Sequence, residues 1–153
     1  IALVATCNRT ELYAWTPSED AVGVQRAIHA LAARWMPRSR DREPLLSVAR
    51  RRVGDEAARH LLRVSAGLES QVLGDGQILG QIRDAYRQAT AAGLHGSVVH
   101  RLFETALRTG RRVQAETALS AGRNSIGAEA ASMAARRFGD LTHVRAVVVG
   151  CGK

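Results

Sequence analysis

The sequence predicts an α+β fold, in which a small mixed sheet with helices is followed by a helical subdomain and a final strand. Two short apolar runs, residues 1–5 and 12–15, have the length and composition of strands. From residue 55 onward, apolar residues recur with the spacing of amphipathic helices. Residues 144–149 form an apolar run, interrupted by one arginine, that is typical of a buried strand.

The first region contains one predicted helix between strands. Residues 16–19 form a capping box, with Pro17 at the first helical position. Apolar residues then recur at helical spacing, which predicts an amphipathic helix over 17–35. The segment 37–44 is polar and bounded by prolines, so we expect a loop. Residues 45–53 offer a third strand.

The helical subdomain follows from the same periodicity. Asp55 is expected to cap its first helix, and Ser97 a later one. Between them, residues 76–92 carry a clear apolar stripe. A helix of small residues is predicted over 125–138, ended by Gly139. The residues expected to face the core are Ala58, Leu61, Leu62 and Ser65, then Ile78, Leu79, Ile82, Tyr86 and Ala89, then Leu102, Phe103 and Ala106.

The amino-acid composition favours a globular protein with an aliphatic core over a membrane-spanning or disulfide-rich protein. Hydrophobic residues make up 46% of the 153 positions but aromatic residues only 4%, so we expect Ala, Leu and Val to fill the core. No apolar run approaches the roughly 20 residues that span a bilayer, and nothing resembles a signal peptide. Two cysteines far apart in sequence form no disulfide framework, which favours a cytoplasmic protein. No His and Cys spacing indicates a metal site.

The formal net charge of +8 suits a polyanionic partner such as RNA. All but one of the 22 basic residues are arginines, a bias that GC-rich coding can also produce on an ordinary solvated surface. The basic residues are spread along the chain, so charge alone leaves both interpretations open.

Cys7 lies where the first predicted strand gives way to the second, in the run Thr-Cys-Asn-Arg-Thr-Glu. A neighbouring arginine can lower the pKa of a thiol, and a loop leaves the sulfur accessible, so a reactive thiolate is one interpretation. A small buried hydrophobic side chain is the other. Near the last residues, a strand followed by Gly150-x-Gly152 is how a Rossmann domain begins its dinucleotide site, although a plain strand and glycine turn fits equally.

Four sequence blocks, in one order, resemble the glutamyl-tRNA reductase family. They are residues 6–11, residues 60–70, residues 71–82 and, in the last third, Gly-Arg-Arg-Val at 110–113 followed by the apolar run and glycines at 147–153. The resemblance implies a catalytic domain over residues 1–142, incomplete at its N-terminus. Residues 143–153 would be the first strand and glycine turn of an NADPH-binding Rossmann domain.

The family resemblance also implies an activity and partners. The expected reaction is NADPH-dependent reduction of glutamyl-tRNA(Glu) to glutamate-1-semialdehyde through a cysteine thioester, the first step of tetrapyrrole synthesis. Expected partners are the charged tRNA, a second copy of the enzyme in a homodimer, and glutamate-1-semialdehyde aminomutase. A different thiol-dependent acyl-transfer or hydrolytic enzyme, and a non-catalytic RNA-binding module, are the alternatives.

Residue by residue, the resemblance implies Cys7 as nucleophile and His60 as the histidine associated with activity, which otherwise would be a helix-surface residue. Arg9 would grip the glutamate carboxylate with two parallel hydrogen bonds. Asp75 stands where the family pattern has Glu, so a substrate contact and a helix cap remain equal alternatives. The expected substrate-binding residues are Thr6, Asn8, Arg9, Ser70, Asp75, Gly76, Gln77 and Gln81, and the expected cofactor-binding residues are Gly150 and Gly152.

Overall fold

A computed structural model of the chain describes residues 1–6, 8–16, 22–23, 25–26, 28–30, 49–94, 96–120 and 126–149. Strands β1 (Ala2–Ala5) and β2 (Thr10–Tyr13) form an antiparallel hairpin, with Ala2 opposite Tyr13 and Ala5 opposite Thr10. Both predicted strands are therefore confirmed, the second beginning two residues early. In the described part of the chain the sheet has these two strands, so it is antiparallel rather than mixed.

The helical subdomain is confirmed. Its helices are α1 (Asp55–Ser65), α2 (Gln77–Ala91), α3 (Ser97–Glu116) and α4 (Ile126–Phe138), with a short 3-10 helix at Ala118–Ser120. The described residues at 22–23, 25–26 and 28–30 are helical, as expected for that segment. The predicted capping box beyond Thr16, and the loop at 37–44, lie outside the described residues.

Both predicted helix caps are wrong by one residue. Gly54 and Gly96 occupy the N-cap positions of α1 and α3, and neither helix has a side-chain cap hydrogen bond. Asp55 is instead the first helical residue, followed by Glu56. Because these carboxylates lie in the first turn, their charge interacts favourably with the positive end of the helix dipole.

Two predicted strands are not present in the described residues. Residues 49–53 form no strand, and residues 45–48 lie outside the description. Residues 144–149 also form no strand, and Val147, Val148 and Val149 are 88%, 89% and 94% exposed. A buried strand needs hydrogen-bonded neighbours, which the described residues do not supply at either place. The predicted first strand of a Rossmann domain is therefore not confirmed.

The core forms where α2 covers β1 and α1 packs against α3. Ala2 and Val4 point inward from β1, and the predicted stripe of α2 is buried except for Leu79, which is partly exposed. Aromatic side chains contribute more than the composition suggested. The ring of Phe103 lies between Tyr13, at 5.5 Å and edge-on, and Tyr86, at 5.6 Å and stacked. This arrangement fixes the hairpin against α2 and α3.

Candidate active site

A cleft of about 220 Å³ opens between the β1–β2 turn, the loop after α1 and the first turns of α2. Its size suits a group no larger than an amino acid, since pockets for drug-sized ligands measure roughly 300–1,000 Å³. All the predicted substrate-binding residues except Gly76 line it. The lining consists of Thr6, Asn8, Arg9, Ser70, Gln71, Val72, Asp75, Gln77, Ile78, Gln81 and Gly127.

The remaining predicted residues fall into two groups. Gly76 occupies the N-cap of α2, between two lining residues, and His60 lies behind the cleft on α1. Cys7 lies outside the described residues, but its chain neighbours Thr6 and Asn8 both line the cleft. The predicted cofactor residues Gly150 and Gly152 also lie outside the described part.

Thr6 organises the turn between the two strands. Its hydroxyl oxygen accepts hydrogen bonds from the backbone N–H groups of Asn8, at 3.2 Å, and Arg9, at 3.1 Å. Its own backbone N–H donates to the carbonyl of Arg9 at 2.8 Å. The Asn8 side chain reaches across the cleft, where its Oδ1 accepts a hydrogen bond from Gln71 Nε2 at 2.9 Å. Threonine therefore holds the turn, and asparagine joins it to the loop after α1.

The Arg9 guanidinium is largely buried, with 15% of its side chain exposed. Its Nη1 donates to Glu11 Oε1 at 3.3 Å, and its Nη2 donates to the main-chain carbonyl of Glu69. These two contacts fix the plane of the guanidinium at the cleft wall. Each Nη carries two N–H groups, so both nitrogens retain a donor beyond these contacts.

Glu11 is the acceptor on which several side chains converge behind the cleft. His60 Nε2 lies 2.8 Å from Glu11 Oε1, the same oxygen that accepts from Arg9. The Tyr13 hydroxyl donates to Glu11 Oε2 at 2.5 Å. Burial raises the pKa of Tyr13 well above its ordinary value, and the hydrogen bond to the Glu11 carboxylate raises it further. His60 is thereby connected to the cleft through Glu11 and Arg9.

The loop after α1 is shaped by two glycines. Gly67 has φ +76°, which terminates α1 in a Schellman motif: its N–H donates to Val64, and that of Leu68 to Arg63. A Cβ on Gly67 would lie 3.1 Å from the Cα of Gly74, whose N–H donates to the Gly67 carbonyl at 3.0 Å. Because the loop closes so tightly on itself, residues 70–72 are held at the cleft.

An ion pair braces the same loop from the solvent side. Arg63 Nε on α1 donates to Glu69 Oε1 at 2.6 Å. This hydrogen bond holds the pKa of the Glu69 carboxyl below its usual range. Glu69 is also the residue whose carbonyl accepts from Arg9, so the hairpin and α1 both anchor one residue of the loop.

The start of α2 supplies the opposite wall. Asp75 Oδ1 accepts a hydrogen bond from the backbone N–H of Gln77, the first residue of α2, at 2.9 Å. Asp75 therefore satisfies an N–H of the first turn and also lines the cleft. Gln77 and Gln81 lie one turn apart on the face of α2 that borders the cleft. Their amides are available there as donors and acceptors.

Two residues of this site, Glu11 and Gln71, had no predicted role. Glu11 lies within the first block, and Glu11 and Tyr13 are two residues apart in β2, so they must share a face. That alternation is the signal that could have identified it. Gln71 holds Asn8, and no local pattern of the sequence indicates this contact.

The described residues contain neither a metal-binding cluster nor a membrane-spanning helix. None of their His, Cys, Asp and Glu side chains form a group of three able to hold a metal ion. No helix among them is long and apolar enough to cross a membrane.

The family model and the individual relatives that match this chain carry the same family name. Residues 1–117 match the family model of the "Glutamyl-tRNAGlu reductase, N-terminal domain". A protein of Rubrobacter xylanophilus named glutamyl-tRNA reductase is 46% identical over 99% of this chain and 34% of its own length. Proteins of the same name from Halorhodospira halophila and Alcanivorax borkumensis are 39% and 38% identical, over 100% and 99% of this chain and 33% and 35% of their own lengths. The chain spans about a third of the length of these curated relatives.

Proposed function

Because this chain belongs to the glutamyl-tRNA reductase family, we propose that it carries the acyl-binding and nucleophilic part of glutamyl-tRNA(Glu) reduction to glutamate-1-semialdehyde. This reaction would be the entry to tetrapyrrole synthesis. The observation that supports the proposal best is one cleft, which is lined by residues from three of the four family blocks and by both chain neighbours of Cys7. The rest of the proposal follows from what these side chains can do chemically.

Cys7 is the proposed nucleophile. Its thiolate attacks the carbonyl carbon of the glutamyl ester, forming a C–S bond. The C–O bond to the tRNA ribose then breaks, and the tRNA leaves with the electron pair and takes up a proton. The product is a glutamyl thioester on Cys7. A thioester accepts hydride more readily than an oxygen ester does, because sulfur donates less electron density to the carbonyl.

Recognition of the amino acid is assigned to both walls of the cleft. The free carboxylate of the glutamyl group suits the two remaining Nη donors of Arg9, which can make parallel hydrogen bonds. The amides of Gln77 and Gln81 suit the α-amino and carbonyl groups on the opposite side. Ser70, Thr6 and Asn8 complete the polar lining, and Thr6 and Asn8 flank Cys7 in the chain.

The resemblance implies NADPH as the source of hydride for the thioester carbon, with Gly150 and Gly152 opening its site. His60 is proposed to move the proton that accompanies this reduction, since imidazole exchanges protons near neutral pH. Collapse of the resulting hemithioacetal breaks the C–S bond and releases the aldehyde and the Cys7 thiol. Homodimerisation, transfer of the aldehyde to glutamate-1-semialdehyde aminomutase and a cytoplasmic location belong to the same proposal.

The test compares acyl donors in the full-length protein. Glutamyl-tRNA and a small glutamyl ester would each be supplied with NADPH, and aldehyde would be quantified. We expect aldehyde from the charged tRNA, little from the ester, and none from Cys7→Ser, because a serine hydroxyl is a far poorer nucleophile at neutral pH.

Two outcomes would overturn the proposal in favour of its rivals. Equal use of both donors, with glutamate as the product and no aldehyde, would indicate a thiol hydrolase. Tight tRNA binding with no turnover, and a Cys7 that resists alkylation at neutral pH, would indicate an RNA-binding module.

A further inference from the structure

We propose that Glu11 is a positioning residue that orients both the substrate-gripping Arg9 and the proton-transferring His60 through a single carboxylate oxygen. The inference rests on the proposed function of this cleft. Glu11 Oε1 accepts from Arg9 Nη1 at 3.3 Å and lies 2.8 Å from His60 Nε2. Arg9 comes from the hairpin and His60 from α1, so Glu11 is the link between recognition and proton transfer.

The surroundings make these contacts strong. The exposed fractions of the Arg9, Glu11 and His60 side chains are 15%, 19% and 14%, so water competes weakly for their hydrogen bonds. Hydrogen bonds to an ionised carboxylate are about twice as strong as those between neutral groups. The Tyr13 hydroxyl fixes the other oxygen of Glu11 at 2.5 Å, which prevents the carboxylate from rotating away. The acceptor is therefore fixed before any substrate binds.

The contact also determines which nitrogen of His60 can react. An ionised carboxylate only accepts hydrogen bonds, so Nε2 must carry the hydrogen that lies between them. Nδ1 is then the ring nitrogen left to take up or release a proton for the substrate. Loss of Glu11 would free the ring to rotate and would remove this distinction.

On the Arg9 side, Glu11 and the carbonyl of Glu69 hold one Nη each. One N–H on each of Nη1 and Nη2 remains beyond these contacts, and a carboxylate can accept from both nitrogens of a guanidinium. Without Glu11, the guanidinium would keep one anchor and could swing about it. We therefore expect that substrate specificity and turnover both depend on Glu11, although Glu11 does not line the cleft.

The kinetic test uses Glu11→Gln and Glu11→Asp in the full-length protein. Glutamine has the same shape without the charge, and aspartate keeps the charge but retracts it by one methylene. Both should lower kcat/KM for glutamyl-tRNA by about a hundredfold, the cost of misplacing reacting groups by about 1 Å. Affinity for uncharged tRNA should stay within about twofold. The matched control is Glu104→Gln, an exposed carboxylate on α3, which should leave kcat/KM unchanged.

Two further measurements separate positioning from a structural ion pair. The preference for glutamyl-tRNA over glutaminyl-tRNA should fall in both Glu11 variants, because Arg9 no longer presents its donors. Glu11→Gln should cost less than its hundredfold loss when it is added to His60→Asn, because the part of its effect that acts through His60 is already lost and only the part through Arg9 remains. A Glu11→Asp variant with normal turnover and preference, or fully multiplicative losses, would overturn the proposal.

A spectroscopic test on the 153-residue chain does not depend on turnover. An imidazole N–H bound to a buried carboxylate exchanges slowly with water and gives a resolved proton signal. We expect this signal in the wild type, assigned by its loss in His60→Asn, and expect Glu11→Ala to abolish it while Glu104→Gln retains it. If the 153-residue chain shows the signal but the full-length protein produces no aldehyde from glutamyl-tRNA and NADPH, the proposed function fails and the His60–Glu11 link stands. A signal that survives Glu11→Ala would refute the link itself.

Discussion

The guanidinium of Arg9 donates a hydrogen bond to the main-chain carbonyl of Glu69, sixty residues further along the chain. This contact joins the β1–β2 turn to the loop that follows α1. The two sides of the cleft are therefore connected by the same side chain that the family resemblance assigns to the glutamate carboxylate. Arg9 therefore has two roles to test: it joins the two sides of the cleft, and it is proposed to bind the glutamate carboxylate.

Replacement of Arg9 by lysine should impair use of the glutamyl group far more than binding of uncharged tRNA. A lysine ammonium is a single point charge, and it cannot replace a planar fork that contacts Glu11, Glu69 and a carboxylate together. Steady-state kinetics with glutamyl-tRNA would be compared with the dissociation constant of uncharged tRNA. Equal losses in the two measurements would reassign Arg9 to phosphate contact.

Gly110 and Gly80 are helical glycines for which we predict opposite responses to alanine. A Cβ on Gly110 of α3 would lie 2.5 Å from the Ser65 carbonyl oxygen and 2.6 Å from Leu79 Cδ1, so we expect Gly110→Ala to destabilise the fold by about 1–3 kcal/mol. The nearest atom to a Cβ on Gly80 of α2 is Arg83 Nη2 at 4.0 Å, so Gly80→Ala should stabilise by about 0.5–1 kcal/mol. Urea unfolding of both variants would measure the difference, and similar free energies of unfolding would contradict the packing of α3 on α1.

Tyr13 should make the stability of the fold sensitive to alkaline pH. Its pKa in the folded state is raised by burial and by Glu11, whereas in the unfolded chain it titrates near its ordinary value of about 10. Above that pH the unfolded state loses the proton first, so the free energy of unfolding should fall as pH rises, by at most about 1.4 kcal/mol per pH unit.

The matched control for this dependence is Tyr13→Phe, which keeps the ring packed against Phe103 and removes the titrating hydroxyl. Urea unfolding at pH 9, 10 and 11 should give a steeper decline for the wild type than for the variant. Parallel declines would indicate that another group is responsible.

Asp75 offers a test of the two roles left open by the sequence. Its Oδ1 accepts from the Gln77 N–H, and an asparagine can do the same without a charge. Asp75→Asn should keep the free energy of unfolding within about 0.5 kcal/mol, whereas Asp75→Ala should lose about 1 kcal/mol. If Asp75 only caps α2, kcat/KM for glutamyl-tRNA in Asp75→Asn will match the wild type. A selective kinetic loss in that variant would instead identify a substrate contact.

The parts of the fold that sequence patterns predicted correctly are those that depend on local periodicity. The stripe of Ile78, Ile82 and Tyr86 specifies α2 because helix faces repeat every 3.6 residues, whatever lies opposite. The strand predicted at 144–149 was not confirmed because a strand is stabilised by its neighbours, and local composition contains no information about them. Helix caps were displaced by one residue, since several adjacent residues could start the same helix.

In the candidate site, too, local sequence patterns predicted some residues, whereas contacts between distant residues were not predicted. The family blocks supplied all the residues of the cleft except Gly127, although residues 6–11 and 60–82 are far apart in the chain. Glu11 was missed because its function depends on His60 and Arg9 converging on it, and only alternation along β2 hinted at its orientation. Contacts between distant residues require the three-dimensional structure.

The most direct test of Cys7 as the nucleophile is mass spectrometry of the chain after incubation with glutamyl-tRNA. Acylation needs no hydride, so folded protein, verified by circular dichroism and tRNA binding, should carry a glutamyl adduct on the Cys7 peptide without NADPH. The adduct should persist in Cys151→Ser, disappear in Cys7→Ser, and decay by hydrolysis to glutamate. An adduct confined to Cys151, or no adduct on folded protein that binds the tRNA, would contradict the thioester mechanism.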